Sequence, residues 1–406
     1  MYIKRNLETK IMGLIETAEI IAVVGSRQAG KTTLLKHISN NLKSVNWLTF
    51  EDQDALDLFD RDIKAFIEIH IKPYKNIFID EFQYSREGGK NLKFIYDTVP
   101  NKKMFITGSS HADISVRALK YLVGRVFIFE LFPLSFDEFI YFRNVDLANY
   151  LKSNKNISNT VISTITPYME EFIKYGGYPK VVLSETEVLK KEVLKNIVNT
   201  YFLRDIKEGL GLVESSPLRD LLKTIALSLG SLVPYKKLTD VSNYDHLKLK
   251  KYLSFFEQTY ITYSAKPFFK NKLKEIVKAP KVYFLDSGLC NTLLSDFRAP
   301  CDRPDGGGIF EMVNVSEFVK SGYSVNYWRT KNGLEVDIVA VLNESHIACE
   351  VKLKKEENIV PSLESFVNEY KNFEPFISFL YLNDKISKTN TQNQLPLFFI
   401  GNLKTD

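Results

Sequence analysis

Cysteine is scarce in this sequence. Cys290, Cys301 and Cys349 are the three among 406 residues, and no two stand at Cys-x-x-Cys spacing. A sparse, odd count excludes a disulfide framework, gives no zinc motif and fits a reducing compartment. Long hydrophobic runs are missing too: no window approaches eighteen consecutive apolar residues, so no membrane-spanning helix is expected. The opening Met1-Tyr2-Ile3-Lys4-Arg5 lacks the apolar core of a secretory signal. These absences lead us to expect a cytoplasmic protein with no membrane partner. Neither repeats nor low-complexity tracts occur. Excess charge of one sign is small as well; a formal +5 names no partner by itself, so its distribution matters more than its size. The length leaves room for two or three domains.

What is present begins with Gly25-Ser26-Arg27-Gln28-Ala29-Gly30-Lys31-Thr32-Thr33. This is the glycine, four residues, glycine, lysine, threonine pattern of a phosphate-binding loop. It sits between an apolar run, Glu19 to Val24, that reads as a buried parallel strand, and Leu34, Leu35 and Ile38 at helical spacing. Gly25 and Gly30 let the backbone turn tightly and aim its N–H groups at phosphate oxygens. The helix that follows presents its positive end to the same anion. Lys31 is expected on the β- and γ-phosphates and Thr32 on Mg²⁺. The nucleotide-binding residues are therefore Gly25, Gln28, Ala29, Gly30, Lys31, Thr32 and Thr33, with ATP and Mg²⁺ as cofactors. Downstream, Asn76-Ile77-Phe78-Ile79-Asp80-Glu81 is an apolar strand ending in two carboxylates. Asp80 is expected to hold the magnesium and Glu81 to orient or deprotonate the attacking water. In NTPases built this way one strand lies between these two. Met104 to Ser110 supplies it, with Ser109 or Ser110 at its polar tip as the γ-phosphate sensor and Thr107 a further possibility. Arg125 to Leu131 supplies a fifth strand. Alternating strands and helices with short loops predict an α/β fold with a parallel sheet covered on both faces.

Taken together, Gly25 to Thr33, Ile79-Asp80-Glu81-Phe82-Gln83, Ile106 to Ser110, Gly124-Arg125 and Leu131 to Phe139 resemble the AAA+-related archaeal and bacterial ATPase family that carries a C-terminal DUF4143-type region. The order of motifs matches across nearly the whole chain. The family usually has proline and valine where this chain has Ser26 and Ala29. The resemblance implies that Arg125 is an arginine finger or a γ-phosphate contact within its own subunit, the alternative being a structural arginine at a strand start. Further on, Tyr175-Gly176-Gly177-Tyr178-Pro179 offers a rigid turn where backbone can approach a flat ligand. It is similar to the Gly-x-Pro motif of signal-transducing ATPases, which implies that Pro179 packs on adenine from a helical lid; a plain helix-terminating turn is the alternative.

From Leu218 to Leu294 the pattern resembles a winged helix: Leu221 to Leu229, Leu238, and Leu249 to Phe256 mark three helices, and Ile261 to Ala265 and Lys281 to Leu285 two wing strands. Between His246 and Lys281 stand nine lysines and two glutamates. Lysines 248, 250, 251, 266, 270, 272, 274, 278 and 281 are thereby expected on the third helix and the wing, where a winged helix meets DNA phosphates. About six such contacts lower affinity roughly 10³-fold between 50 and 200 mM salt. Charge runs are more often solvated faces, which is the competing account.

After the glycine-rich linker Cys301 to Gly308 comes a compact α/β unit. Period-two alternation puts Glu350 and Lys352 on one strand face, with Asp337 on the neighbouring strand of a hairpin. This arrangement resembles the restriction-endonuclease-like PD-(D/E)xK fold, with a spacing similar to archaeal Holliday-junction resolvases. The resemblance implies Mg²⁺ held by Glu311, Asp337 and Glu350, with Lys352 as the catalytic lysine. Many modules of this kind keep the fold and lose cleavage.

The expected organisation is a P-loop core at 1–140, a helical lid at 141–210, a winged helix at 211–298 and a nuclease-like domain at 299–406. Two functions fit it. One is an ATP-hydrolysing, DNA-binding protein, acting on branched DNA if the resolvase likeness extends to substrate. The other is a signalling ATPase that assembles as a homo-oligomer with ATP and whose C-terminal domain only binds.

Overall fold

The computed structural model describes residues 2–108, 121–154, 157–202, 216–233, 235–269, 279–355, 360–382 and 394–396. The chain forms two compact units, residues 1–133 with 258–260, and residues 134–257 with 261–406.

The first unit is built on strands β1 (Ile20–Gly25), β2 (Val45–Thr49), β3 (Asn76–Asp80), β4 (Lys103–Gly108) and β5 (Val126–Leu131), all parallel, in the order β2-β3-β4-β1-β5. The continuous apolar runs of β1, β3 and β4 are buried along their whole length, as strands covered on both faces must be. One register row crosses the sheet: Trp47 opposite Phe78, Phe78 opposite Phe105, Phe105 opposite Ile21. Phe78 and Phe105 stack at 4.3 Å and Trp47 lies 5.3 Å from Phe78. Slipping one strand by a residue would break this ladder and send its side chains to the other face. Two residues further along, on the same face, stand Asp80 and Thr107. The aromatic row therefore sets the register of the site, and β4 lies between the two motif strands as the sequence predicts.

The second unit carries a mixed sheet of β6 (Thr262–Pro267), β7 (Lys281–Phe284), β8 (Ser324–Arg329), β9 (Glu335–Leu342), β10 (Ser345–Lys354), β11 (Glu374–Tyr381) and β12 (Gln394–Pro396), ordered β12-β11-β10-β9-β8-β6-β7. Helix Gly306–Lys320 is apolar nearly all round, and most of its residues are buried, as a helix inside a core must be. Strands β9 and β10 form the expected hairpin, Leu342 opposite Ser345, with Asn343 at φ 49° in the turn. Helices Ser216–Ala226, Tyr235–Ser242 and His246–Gln258 followed by the antiparallel pair β6/β7 reproduce the element order expected of the winged helix. The pair is not a free wing, however. β6 also runs parallel to β8, Lys266 opposite Asn326, so the expected division at 298/299 cuts through one hydrogen-bonded sheet.

The glycine pair has a different purpose from the expected ligand approach. Gly176 has φ +73°, and a Cβ there would lie 2.2 Å from the Asp286 carboxylate. A Cβ on Gly177 would lie 2.2 Å from the Leu134 carbonyl. Gly177 N donates to Asp286 Oδ2 at 2.8 Å and its carbonyl accepts from Leu134 N at 2.8 Å. The close approach is made by the protein's own chain, and Pro179 is the first residue of the short helix Pro179–Val182.

Candidate functional site

The phosphate-binding loop leaves β1 at Gly25, whose φ is +145°. A Cβ there would meet the Leu131 carbonyl at 2.0 Å, so glycine is required by the neighbouring strand as well as by the turn. Gln28 and Gly30 have φ of 61° and 98°, left-handed conformations that point loop N–H groups inward, and Gly30 caps helix Lys31–Ser39. Lys31 is buried; its Nζ donates to the Gly25 and Ser26 carbonyls, both at 2.9 Å. These are the bonds a phosphate would replace. Gln28 Oε1 is buried with no hydrogen-bond partner among the described residues.

Thr32 Oγ1 donates to the Asp80 carboxylate, 2.9 Å from Oδ2 and 3.1 Å from Oδ1. Thr107 Oγ1 donates to the same carboxylate, and Glu81 N donates to Thr107 Oγ1 at 3.1 Å. Glu81 sits at φ 54°, turned out of the strand direction, with the Gln83 amide donating to its carboxylate. A hydroxyl and a carboxylate in direct contact are hard oxygen donors of the kind magnesium selects, so the Thr32 and Asp80 pair fits Mg²⁺. Ser109 and Ser110 lie outside the described residues.

Arg125 is corrected in one respect. It precedes β5, its carbonyl bonded to Ile20 N at the start of β1, while Gly25 pairs with Leu131 at the other end. At 3.3 Å per residue roughly 17 Å of strand separates it from the loop. It pairs instead with Asp97 at 3.0 Å and lies over Tyr96. A γ-phosphate contact within its own subunit is excluded by that distance.

Two supports escaped the sequence reading. Arg5, buried, donates to the Ala29 carbonyl at 2.7 Å and the Phe132 carbonyl at 2.6 Å, bracing the loop from below. Ser26 Oγ donates to the Tyr260 carbonyl at 3.2 Å, and Tyr260 OH donates to Glu130 at 3.1 Å. Neither residue lies in a motif, and Tyr260 is distant in sequence, so only the fold reveals them.

In the second unit one of the expected carboxylates, Glu311, meets a lysine. Lys281, expected on a DNA-facing wing, is 2% exposed. Its Nζ lies 3.0 Å from Glu311 Oε1 and 2.6 Å from Glu335 Oε1. Tyr283, on the same face of β7, donates its hydroxyl to Glu311 Oε1. Asp337 Oδ2 accepts from Val351 N at 2.9 Å, and Glu350 Oε1 from Lys352 Nζ at 2.9 Å. Burial pushes the Lys281 ammonium down, yet Glu311, Glu335 and Asp337 more than offset this and leave it above the ordinary lysine range. Burial, then Glu311 and Glu350, raises Asp337 well above a normal carboxylate, and burial raises Glu350 despite Lys352. Among the described residues no group of three His, Cys, Asp or Glu side chains could hold a metal. Of the expected Mg²⁺ set, Glu311 is engaged by Lys281 and Tyr283, Asp337 by the Val351 backbone and Glu350 by Lys352.

Of the basic stretch, Lys248, Lys250, Lys251 and Lys266 are exposed, Lys281 is withdrawn into the core, and Lys270, Lys272, Lys274 and Lys278 lie outside the described residues. Among the described residues no helix is long and apolar enough to cross a membrane.

A glycine-hinged loop on β1, an Asp-Glu strand end on β3 and a strand between them define a P-loop ATPase. Comparisons with known proteins agree: residues 17–140 match the AAA domain family, 166–299 a domain of unknown function (DUF8612) and 306–399 the domain of unknown function DUF4143. An AAA domain followed by a C-terminal DUF4143 region is the order of the ATPase family that the motifs resemble, and these matches support that family. The chain is 26% identical to the uncharacterized protein MJ1544 of Methanocaldococcus jannaschii, covering 94% of this chain and 86% of that one. It is 24% identical to an uncharacterized protein of Haemophilus influenzae, covering 88% of each. Among solved structures, the Walker-type ATPase PABY2304 of Pyrococcus abyssi aligns with 72% of this chain and 96% of its own, at 16% identity and a TM-score of 0.46.

Proposed function

We propose that the protein is a Mg²⁺-dependent ATP hydrolase whose turnover is coupled to DNA bound along helix His246–Gln258. The observation that carries the hydrolase reading is the convergence of the Thr32 and Thr107 hydroxyls on Asp80, with Glu81 next in the chain. Loop N–H groups receive the phosphates, and Lys31 exchanges two carbonyl partners for phosphate oxygens. Thr32 and Asp80 would hold Mg²⁺, which neutralises developing charge on the transferred phosphoryl group. Glu81 orients the attacking water and accepts its proton. Thr107 fixes both Asp80 and the Glu81 backbone, a positioning role. Lys248, Lys250 and Lys251 on the helix, with Lys266 on β6, supply positive charge for phosphates. Four contacts would weaken binding roughly 10²-fold between 50 and 200 mM salt.

A second reading is favoured by Lys281: a regulatory ATPase that assembles with ATP, with Arg125 acting on a neighbouring copy and a C-terminal domain that binds without cleaving. Steady-state ATPase rates without DNA and with single strand, duplex and a four-way junction, at low salt, separate the two. We expect several-fold stimulation by DNA that fades with salt, and no turnover in Lys31→Ala. A slow rate indifferent to every DNA would defeat the coupling and leave the switch; normal turnover in Lys31→Ala would defeat the hydrolase site itself.

A further inference from the structure

The carboxylates of the C-terminal sheet come from three elements, and burying them together requires cations or protons to offset their charge. Glu311 comes from helix Gly306–Lys320, Glu335 and Asp337 from β9, and Glu350 from β10. One cation is already there in covalent form. Lys281 Nζ contacts two of the four carboxylates and lies 5.5 Å from the Tyr327 ring centre, so its desolvated charge is paired on one side and placed over an aromatic face on another. Space beside Glu311 is closed as well: a Cβ on Gly230 would stand 2.8 Å from Glu311 Oε2, and Leu232 bridges to Lys281 through the backbone.

We infer that Lys281 is the resident cation of the Glu311, Asp337 and Glu350 constellation and keeps divalent ions out of it, so that the domain works without metal and gains a metal site only when this lysine is removed. The position of Lys281 at the first residue of β7 supports this assignment. Period-two alternation on that strand puts Lys281 and Tyr283 on the same face, and both reach Glu311. A lysine placed by a strand inside a sheet core is not a side chain that swings aside at low cost. Glu350 supplies the second observation: it is 6% exposed, and its Oε2 has no hydrogen-bond partner among the described residues. Lys352 holds Glu350 Oε1 at 2.9 Å, so the open Oε2 is the oxygen that would join Glu311 on a metal once Lys281 no longer occupies that carboxylate. The inference concerns the second unit and does not depend on ATP hydrolysis in the first.

The test is Mn²⁺ binding by the full chain without nucleotide, followed by calorimetry and by the paramagnetic signal of free Mn²⁺. Wild type is compared with Glu350→Gln, Lys281→Met and Lys281→Met/Glu350→Gln; methionine keeps the apolar stem of the lysine. We expect wild type and Glu350→Gln to bind alike, because binding at Asp80 is common to both. We expect Lys281→Met to gain one equivalent bound at least tenfold more tightly than any wild-type site outside the P-loop, and the double variant to lose it. Mn²⁺-dependent refolding of an otherwise unstable Lys281→Met would count as the same gain. Wild-type Mn²⁺ binding that Glu350→Gln abolishes would overturn the inference, as would a Lys281→Met protein that gains no Mn²⁺. If Lys281→Met does not fold even with Mn²⁺, the wild-type and Glu350→Gln comparison decides alone: identical isotherms support the assignment and a lost equivalent refutes it.

Discussion

At the scale of single residues, the site depends on a threonine that the sequence offered only as a third choice. Thr107 donates to Asp80 and accepts from Glu81 N, so one hydroxyl fixes the direction of both acidic positions. Thr107→Val keeps the shape and removes both bonds. We expect kcat to fall about 10- to 100-fold with a smaller change in KM, since the carboxylates are misaimed rather than lost; a steady-state ATPase titration measures the split. Arg125→Ala, by contrast, should leave turnover of dilute, unassembled protein within about twofold, because the side chain is one strand length from its own loop. The contrast shows what was legible at this scale. Lys31, Thr32, Asp80 and Glu81 stand at motif spacing and follow from local chemistry. The direction in which Arg125 points, and the bonds that tie Thr107 to Asp80 and Glu81, depend on strand register, which a local pattern does not encode.

Among the elements, the five parallel strands were readable because each is a short, largely apolar run. The hairpin β9/β10 was readable from alternation. The linkage of β6 to β8 was not, since two residue pairs far apart in sequence make it and neither has a distinctive pattern. The segment Tyr175 to Pro179 illustrates the same limit. Its composition is right for a ligand-facing turn, yet the atoms that need the missing Cβ are Leu134 O and the Asp286 carboxylate. Gly177→Ala should therefore destabilise the second unit by roughly 1–3 kcal/mol, the usual range for overpacking against backbone, visible as a lower denaturant midpoint with an unchanged slope.

For the molecule as a whole, the buried acidic cluster predicts how stability varies with pH. Asp337 and Glu350 have folded pKa values raised above their ordinary 3.8 and 4.5, chiefly by burial. The folded state therefore holds protons that the unfolded state has released, and the stability these groups add is present below the ordinary values and lost as pH rises through the folded ones. Thermal melts of Glu350→Gln should gain on wild type as pH climbs from about 4.5, the glutamine having no proton to lose; a constant difference across that range would contradict the assignment. A different consequence follows from the three residues 258–260. The first unit is discontinuous: a fragment ending at residue 133 lacks the carbonyl that receives Ser26 Oγ and the ring that packs edge-on to Phe132. The phosphate loop is thus finished by chain that is synthesised well after its own strand, and a nascent ATPase unit on the ribosome stays incomplete until the basic helix has emerged.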